Sequence, residues 1–239
     1  MCFSAEADFV SGAVIGAIGV ATLAQVEKLR QIPIAALPLA FAAHQFTEGF
    51  VWRDLDGGAT HATGPAVYAY LLFAWVLLPV VVPLAIMALE PPGRSRRRIG
   101  GFVVIGAVAS AYLSAALVAG DVSAHSGGHV VLYGGGGRYA DLATALYIVA
   151  TCGAPLLSRY RNIVWFGIAN LVAVGAIATV QAEGLTSIWC SWAAVVSVLI
   201  FFQLTAWRNS TDRAPTTELS SSVTTAKGGD LFHPGGVRR

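Results

Sequence analysis

The side chains best suited to chemistry are a histidine and a glutamate one helical turn apart. His44 and Glu48 are separated by four positions, so on a helix they share a face that Trp52 continues by another turn, with Gln45 beside it. The surrounding segment is mostly apolar, and a charged side chain at bilayer depth costs about 2.5–3.5 kcal/mol. Retention of Glu48 in such a segment therefore indicates a role for its carboxyl group.

Three interpretations of this group are open. In the first, His44, Gln45 and Glu48 hydrogen-bond to neighbouring helices and hold a bundle together. In the second, they form a polar pocket that binds a proton or a small solute for transport, with Glu48 as the acceptor. In the third, they form a metal or catalytic site near the outer interface, where Glu48 acts as general base or ligand in a hydrolase of lipid headgroups.

The metal interpretation needs ligands beyond His44 and Glu48, because zinc takes three or four protein ligands. The weak candidates are His125 and His129, four positions apart in a loop. The glycines around them disfavour a helix that would place both on one face. We predict no cofactor, with zinc as the alternative.

The elements that must position these residues are membrane helices. Apolar residues make up 56% of the 239-residue chain and charged residues 12%, about half the charged fraction of a soluble domain. Apolar runs near the roughly 20 residues of a bilayer span recur seven times. The sequence predicts an all-α bundle of seven transmembrane helices within residues 1–207, followed by a disordered tail over 208–239. The predicted helices cover 5–26, 32–52, 66–89, 99–119, 140–157, 163–182 and 187–207.

The placement of basic residues predicts the orientation of the bundle. Alternate loops are rich in lysine and arginine, as cytoplasmic loops are, and the opposite loops hold only Arg53 and Arg138. The N-terminus is therefore predicted outside and the tail inside. The basic residues on the predicted inner side are Lys28, Arg30, Arg94, Arg96, Arg97, Arg98, Arg159, Arg161, Arg208 and Arg213.

Several residues are expected to shape the bundle. Glycines at 12, 16 and 19 leave a smooth face on the first helix for a neighbouring helix. Pro79 and Pro83 are expected to kink the third helix. The polar side chains of Asp141, Tyr147 and Asn170 are expected to face the interior.

Two cysteines fall at the predicted outer face. Cys2 precedes the first helix, and Cys190 follows Trp189 at the outer start of the seventh. Disulfides persist outside the cytoplasm, so Cys2 and Cys190 are a candidate pair; two small buried thiols are the alternative. Trp189 and Cys190 are also placed in the polar pocket of the transport hypothesis.

Three short segments carry a resemblance to a known family. The opening Met-Cys-Phe-Ser-Ala, the segment from Gln45 to Trp52 and the segment from Ser187 to Ala194 together resemble a family of bacterial multi-pass membrane proteins of unknown function. The resemblance spans the helical region, brings no assigned activity, and implies that the Glu48 segment and the two cysteine segments are signature positions. Where the family often has another glutamine before Gln45, this chain has His44.

The sequence thus predicts a multi-pass protein of a bacterial inner membrane. A small-solute or proton-coupled transporter is the leading hypothesis, and a metal-dependent lipid hydrolase or a non-catalytic sensor or assembly subunit is the alternative. The expected partners are the lipid bilayer and a small solute. No nucleic acid is expected, because the basic residues follow helix ends instead of forming a soluble basic patch. The oligomeric state stays open.

Overall fold

Helices dominate the structure and occur at each of the seven predicted positions. The computed structural model describes residues 4–57, 61–120, 122–128, 130–135, 137–181 and 185–212, apart from the side chains of 178, 180, 181, 185–191 and 210–212. A 3₁₀ turn, Leu29–Gln31, precedes α2, and a π-helical segment, Leu72–Leu77, joins α4 to α5. The helices are α1 (Ala5–Leu23), α2 (Ile32–Ala35), α3 (Leu37–Asp56), α4 (Pro65–Leu71), α5 (Leu78–Leu89), α6 (Arg94–Ala119), α7 (Ala140–Leu156), α8 (Arg161–Gln181) and α9 (Leu185–Asp212).

Three stretches of the described chain are long and apolar enough to cross a membrane. They are Ala5–Leu23, Pro65–Leu89 and Arg94–Ala119, and Ala140–Leu156 and Arg161–Ile177 are shorter apolar helices. Between about 28% and 39% of the most apolar part of each long stretch is buried inside the protein. The remaining apolar surface faces outward, which suits a lipid environment better than water.

The helix ends differ from the predicted ends where charged residues continue a helix. The helix predicted to begin at residue 99 begins at Arg94, and the one predicted to end at Trp52 ends at Asp56. The last helix reaches Asp212, five residues past its predicted end. Arginine favours helix almost as strongly as leucine does, so the apolar runs used for prediction mark only the part of each helix within the bundle.

Glycines allow α1 and α3 to pack closely along their lengths. A Cβ atom on Gly12 would lie 3.2 Å from the Phe46 ring, and one on Gly19 would lie 2.8 Å from the backbone nitrogen of Leu39. On the other helix, a Cβ on Gly49 would lie 2.7 Å from the Phe9 ring. The smooth face predicted on the first helix is therefore the face that contacts α3.

The proline-rich third span is interrupted by a π-helical segment. Pro79 lies in the first turn of α5, directly after Leu72–Leu77, and Pro83 lies inside α5. Proline removes a backbone donor and crowds the preceding turn, so the irregularity falls where the prolines predict it. A neighbouring helix stabilises the segment, because the Ser110 hydroxyl of α6 donates to the Val76 carbonyl at 2.8 Å.

A β-hairpin forms in the loop between α6 and α7, where the sequence predicts only a long glycine-rich connection. Strand β1 (Ser123–Ser126) pairs antiparallel with β2 (Val131–Gly134), and Ala124 also bridges to Ala62 in the loop before α4. Ala124 and Val131 are fully buried. The hairpin therefore packs onto the ends of the adjoining helices.

At the opposite end of the helices, one carboxylate ties several elements together. Glu90 is 1% exposed and follows α5 directly. Its Oε1 accepts from the Ser158 hydroxyl at 2.5 Å and from the Arg159 backbone N–H at 2.9 Å, and its carbonyl accepts from Arg96 at 3.2 Å. These bonds join the end of α5 to the start of α6 and to the turn between α7 and α8. Glu90 lies one residue past the predicted helix 66–89, and nothing in the sequence predicts this role.

Candidate functional site

The polar face predicted on the second span is enclosed within the protein. His44, Gln45, Glu48 and Trp52 all lie on α3, and their exposed fractions are 7%, 2%, 0% and 4%. Gly49, on the same helix, allows Phe9 of α1 to approach closely, because a Cβ atom at this position would lie 2.7 Å from the Phe9 ring. The four α3 side chains therefore belong to one buried group and not to a solvated surface.

A second carboxyl group enters this cluster from α1. Asp8 is fully buried, and its Oδ1 accepts a hydrogen bond from the Gln45 side-chain amide. Because Gln45 and Glu48 are three positions apart on α3, they present their side chains to the same side of that helix. The close packing of α1 on α3 thus places two carboxyl groups, Asp8 and Glu48, in one buried polar cluster. We call Asp8, His44, Gln45, Glu48 and Trp52 the carboxyl cluster.

Aromatic rings connect this cluster to the β-hairpin. The His44 imidazole stacks on the Tyr70 ring with centroids 4.0 Å apart, and Tyr70 stacks on Tyr133 of β2 at 4.3 Å with the planes within 8°. Phe73, in the π-helical segment, packs against His44 at 4.5 Å. The irregular third span therefore contacts His44 directly through Phe73, and the hairpin is linked to His44 through Tyr70.

The buried atoms Nδ1 of His44 and Nε1 of Trp52 have no hydrogen-bond partner among the described residues. Leaving a buried donor or acceptor unsatisfied costs about 1–3 kcal/mol, so such groups usually mark a site for water, an ion or a ligand. His44 and Trp52 flank Glu48 by one turn on either side of the same helical face. The cluster therefore offers unfilled hydrogen-bonding capacity beside a buried carboxyl group.

His125, one of the two predicted histidine ligands, does not project toward this cluster. His125 lies in β1, and its ring contacts His61 edge-on at 5.7 Å. Ala124 and Tyr133 are register partners, and side chains alternate between the faces of a strand, so His125 projects from the opposite face to Tyr133. Among the described residues, no group of three or more His, Cys, Asp or Glu is arranged to hold a metal ion.

Some predicted site residues fall outside what the structure describes. Residues Cys2 and His129 are outside the described ranges, and the side chains of Trp189 and Cys190 are outside them as well. The disulfide pairing and the place of Trp189 and Cys190 in the pocket therefore stay predictions. Cys152 is a buried free thiol in α7.

Of the three further residues expected to face the interior, one does not. Asn170 is 5% exposed, and its Oδ1 accepts from the Trp192 indole at 2.5 Å. Tyr147 is half-buried and lines a small cavity of about 30 Å³ together with Asn170 and Trp192. The expectation for Asp141 is wrong: it is exposed in the first turn of α7, where a negative charge suits the helix dipole.

Three residues of the site are not singled out by the sequence: Asp8, Tyr70 and Tyr133. An acidic residue in a first helical turn is ordinary, so Asp8 by itself indicates no function. A signal was nevertheless present, because Asp8 precedes Gly12 by four positions and so lies on the glycine face of α1. The tyrosines carried no comparable signal, since their stacking depends on a hairpin that the sequence did not predict.

The fold and cluster together describe a mostly helical protein with membrane-type helices and a buried polar centre. The comparisons with known proteins give it a family: the model of a family of unknown function (DUF6629) matches residues 1–216, so the chain belongs to that family. No curated protein and no solved structure matches the chain. The expected membership of an uncharacterised family is thereby confirmed, and the family carries no assigned activity.

Proposed function

We propose that this protein is a seven-span membrane protein that transports a small solute in a proton-coupled manner. In this proposal the N-terminus lies outside a bacterial cell and the tail lies in its cytoplasm. The observation that carries the proposal is the complete burial of Asp8 and Glu48 in one cluster on adjacent helices. A carboxyl group enclosed at membrane depth either keeps its charge with a partner or takes up a proton. Buried carboxyl groups in membrane helices are accordingly typical of proton and ion pathways.

The surroundings of the carboxyl groups suit a site that binds a small polar solute. His44 Nδ1 and Trp52 Nε1 supply an imidazole nitrogen and an indole donor with no partner in the described structure. The stacked rings of Tyr70 and Tyr133 lead from His44 to the hairpin, which lies on the outer side in the proposed orientation. Movement of the hairpin relative to the helices would therefore change access to the cluster from outside.

The third span provides a joint for such movement. The π-helical segment Leu72–Leu77 contains Phe73, which contacts His44, and is followed by Pro79 and Pro83. Irregular turns of this kind are common at functional sites in helices. A change in this segment would alter the packing around His44 directly.

The proposal is tested first by proton binding to the cluster. Infrared difference spectra between acidic and neutral pH would be recorded in nanodiscs for the wild type, Asp8→Asn, Glu48→Gln and Glu6→Gln. Glu6 is an exposed carboxylate in the same first turn of α1, so Glu6→Gln is the matched control. We expect a buried-carboxyl band in the wild type and the control that Glu48→Gln loses and Asp8→Asn shifts or loses. Identical spectra in all four proteins would refute proton exchange at the cluster.

Transport itself is tested with the same four proteins in proteoliposomes that contain a pH-sensitive dye. Neutral amino acids, sugars and small organic cations would be added in turn as probes. We expect at least one class to accelerate proton movement in the wild type and in Glu6→Gln, and to have no effect in Glu48→Gln. Equal acceleration in Glu48→Gln, or none with any class, would leave the cluster a structural link between helices and overturn the transport proposal.

A further inference from the structure

A large groove runs between α8 and α9 at the end of the helices that the proposed orientation places in the inner leaflet. Its volume is about 530 Å³, within the roughly 300–1,000 Å³ of typical ligand sites. Its walls are mostly apolar, and Trp165, Leu199 and Phe202 along it are 58%, 41% and 61% exposed. One polar pair lies in it, with Asn162 donating to Gln203 at 2.7 Å.

A second, polar pocket adjoins this groove. It has a volume of about 180 Å³ and is lined by Lys28, Arg30 and Gln31 from the turn before α2, by Glu27, and by Tyr160 and Trp207. Trp207 lines both spaces, and its ring contacts Tyr160 edge-on at 5.4 Å. The groove and the pocket therefore adjoin at Trp207, which contacts Tyr160 of the pocket.

The polar pocket carries a net positive charge. Lys28 and Arg30 are exposed and outnumber the single carboxylate of Glu27. The side chain of Gln31 is held in place, because its Oε1 accepts the backbone N–H groups of Glu27 and Lys28, both at 2.9 Å. These two bonds fix the turn that presents the two cations beside Trp207.

More cations adjoin the aromatic residues of the pocket in the sequence. Arg159 and Arg161 flank Tyr160 in the sequence, and Arg208 follows Trp207; all three are exposed. Arg208 also donates to the Ala24 carbonyl at 3.2 Å and to the Gln25 side chain at 3.3 Å, which ties α9 to the end of α1. An apolar groove that ends at a cationic, aromatic-lined pocket has the complementary chemistry of an anionic lipid.

We propose that this surface binds one anionic phospholipid of the inner leaflet. The headgroup phosphate lies against Lys28 and Arg30, the interfacial region lies beside Tyr160 and Trp207, and an acyl chain lies along the groove between α8 and α9. Tyrosine and tryptophan prefer this interfacial depth, and basic pockets between helices on the cytoplasmic side are a known setting for anionic headgroups. The inference depends on the membrane placement in the proposed function but not on proton binding at the carboxyl cluster.

The test is native mass spectrometry of the full-length protein with equimolar phosphatidylglycerol and phosphatidylcholine of identical acyl chains. The variants are Lys28→Gln with Arg30→Gln, and, as a matched control, Arg97→Gln with Arg98→Gln, which removes two exposed cations of the predicted inner side outside the pocket. We expect a preference for phosphatidylglycerol in the wild type and control that falls roughly tenfold in the pocket variant. Ala169→Phe, which fills the groove, should reduce the adducts of both lipids.

Two results would overturn the proposal. An unchanged preference in the pocket variant would remove Lys28 and Arg30 from lipid binding, and an equal loss in the control would show that surface charge alone causes the preference. Salt provides a second measurement, because raising the ionic strength should weaken the preference in the wild type and not in the pocket variant. The carboxyl infrared band is measured separately, so failure of lipid binding is distinguishable from failure of the proposed transport function.

Discussion

At the scale of single residues, the decisive feature is a pair of buried carboxyl groups on two packed helices, one of which accepts a hydrogen bond from Gln45. Gln45 donates to Asp8 across the contact between α3 and α1, and Glu48 lies one turn further along α3. Removing one partner of a buried polar contact leaves the other without compensation, which costs more than the bond itself contributes. Gln45 therefore stabilises the buried Asp8 carboxyl group across the contact between α3 and α1.

This dependence predicts the effect of replacing Gln45. Gln45→Leu should lower the free energy of unfolding by about 1–3 kcal/mol, because the buried Asp8 carboxyl group loses the hydrogen bond from Gln45. Thr47→Val is the control, since the Thr47 hydroxyl donates to the Ala43 carbonyl of its own helix at 2.8 Å, and its effect should stay within about 0.5 kcal/mol. Thermal unfolding of both variants in the same detergent checks the difference, and equal midpoints would contradict the bridging role.

Part of the carboxyl cluster was predictable from the sequence and part was not. His44, Gln45, Glu48 and Trp52 could be grouped because helical periodicity places residues on one face without knowledge of neighbours. Asp8 joins them only through the packing of α1 on α3, which depends on contacts distant in sequence. The direction of the candidate ligand His125 also depends on contacts distant in sequence, because only the strand register shows that it projects away from Tyr133.

At the scale of elements, close packing at glycines controls how the helices fit. A Cβ on Gly106 of α6 would overlap the carbonyl oxygen of Pro79 and lie 2.7 Å from its carbonyl carbon. Backbone atoms cannot move aside as flexible side chains can. Gly101, on the same helix, has nothing within 4 Å of an added Cβ. The two glycines therefore have opposite expected responses to the same substitution.

Gly106→Ala should destabilise the protein by about 1–3 kcal/mol or more, since the added methyl group forces α6 away from the span that contains Pro79. Gly101→Ala should leave stability unchanged or raise it by up to about 1 kcal/mol, because alanine favours helix over glycine. Thermal unfolding midpoints of the two variants, measured in one detergent, test the expected decrease for Gly106→Ala and the expected absence of a decrease for Gly101→Ala. A neutral Gly106→Ala would show that α6 does not pack against Pro79 as described.

The elements themselves were largely predictable, and the exceptions have physical causes. Apolar runs located the seven helical regions because hydrophobic length and composition are local properties. The hairpin Ser123–Gly134 was not predicted, since its short strands contain glycine and polar residues and gain stability by packing onto the helices. The interruption at Leu72–Leu77 was anticipated only as a kink, because prolines locate an irregularity without specifying its form.

At the scale of the whole molecule, polar features concentrate at three levels. The hairpin and the His61–His125 contact lie at one end, and the carboxyl cluster lies beneath the hairpin. The Glu90 bonds and the cationic pocket proposed to bind lipid lie at the other end. The basic loops at this second end predict that it faces the cytoplasm. The proposed proton access from outside and the proposed inner-leaflet lipid both depend on that orientation.

The measurement that tests this orientation most directly is cysteine labelling with a membrane-impermeant maleimide. The background replaces Cys2, Cys152 and Cys190 by serine, and single cysteines are introduced by His61→Cys and Arg97→Cys, both at exposed positions. We predict that the His61→Cys variant is labelled in intact cells and that the Arg97→Cys variant is labelled only after the membrane is opened. Labelling of both variants in intact cells, or of Arg97→Cys alone, would contradict the proposed membrane arrangement and the access routes that depend on it.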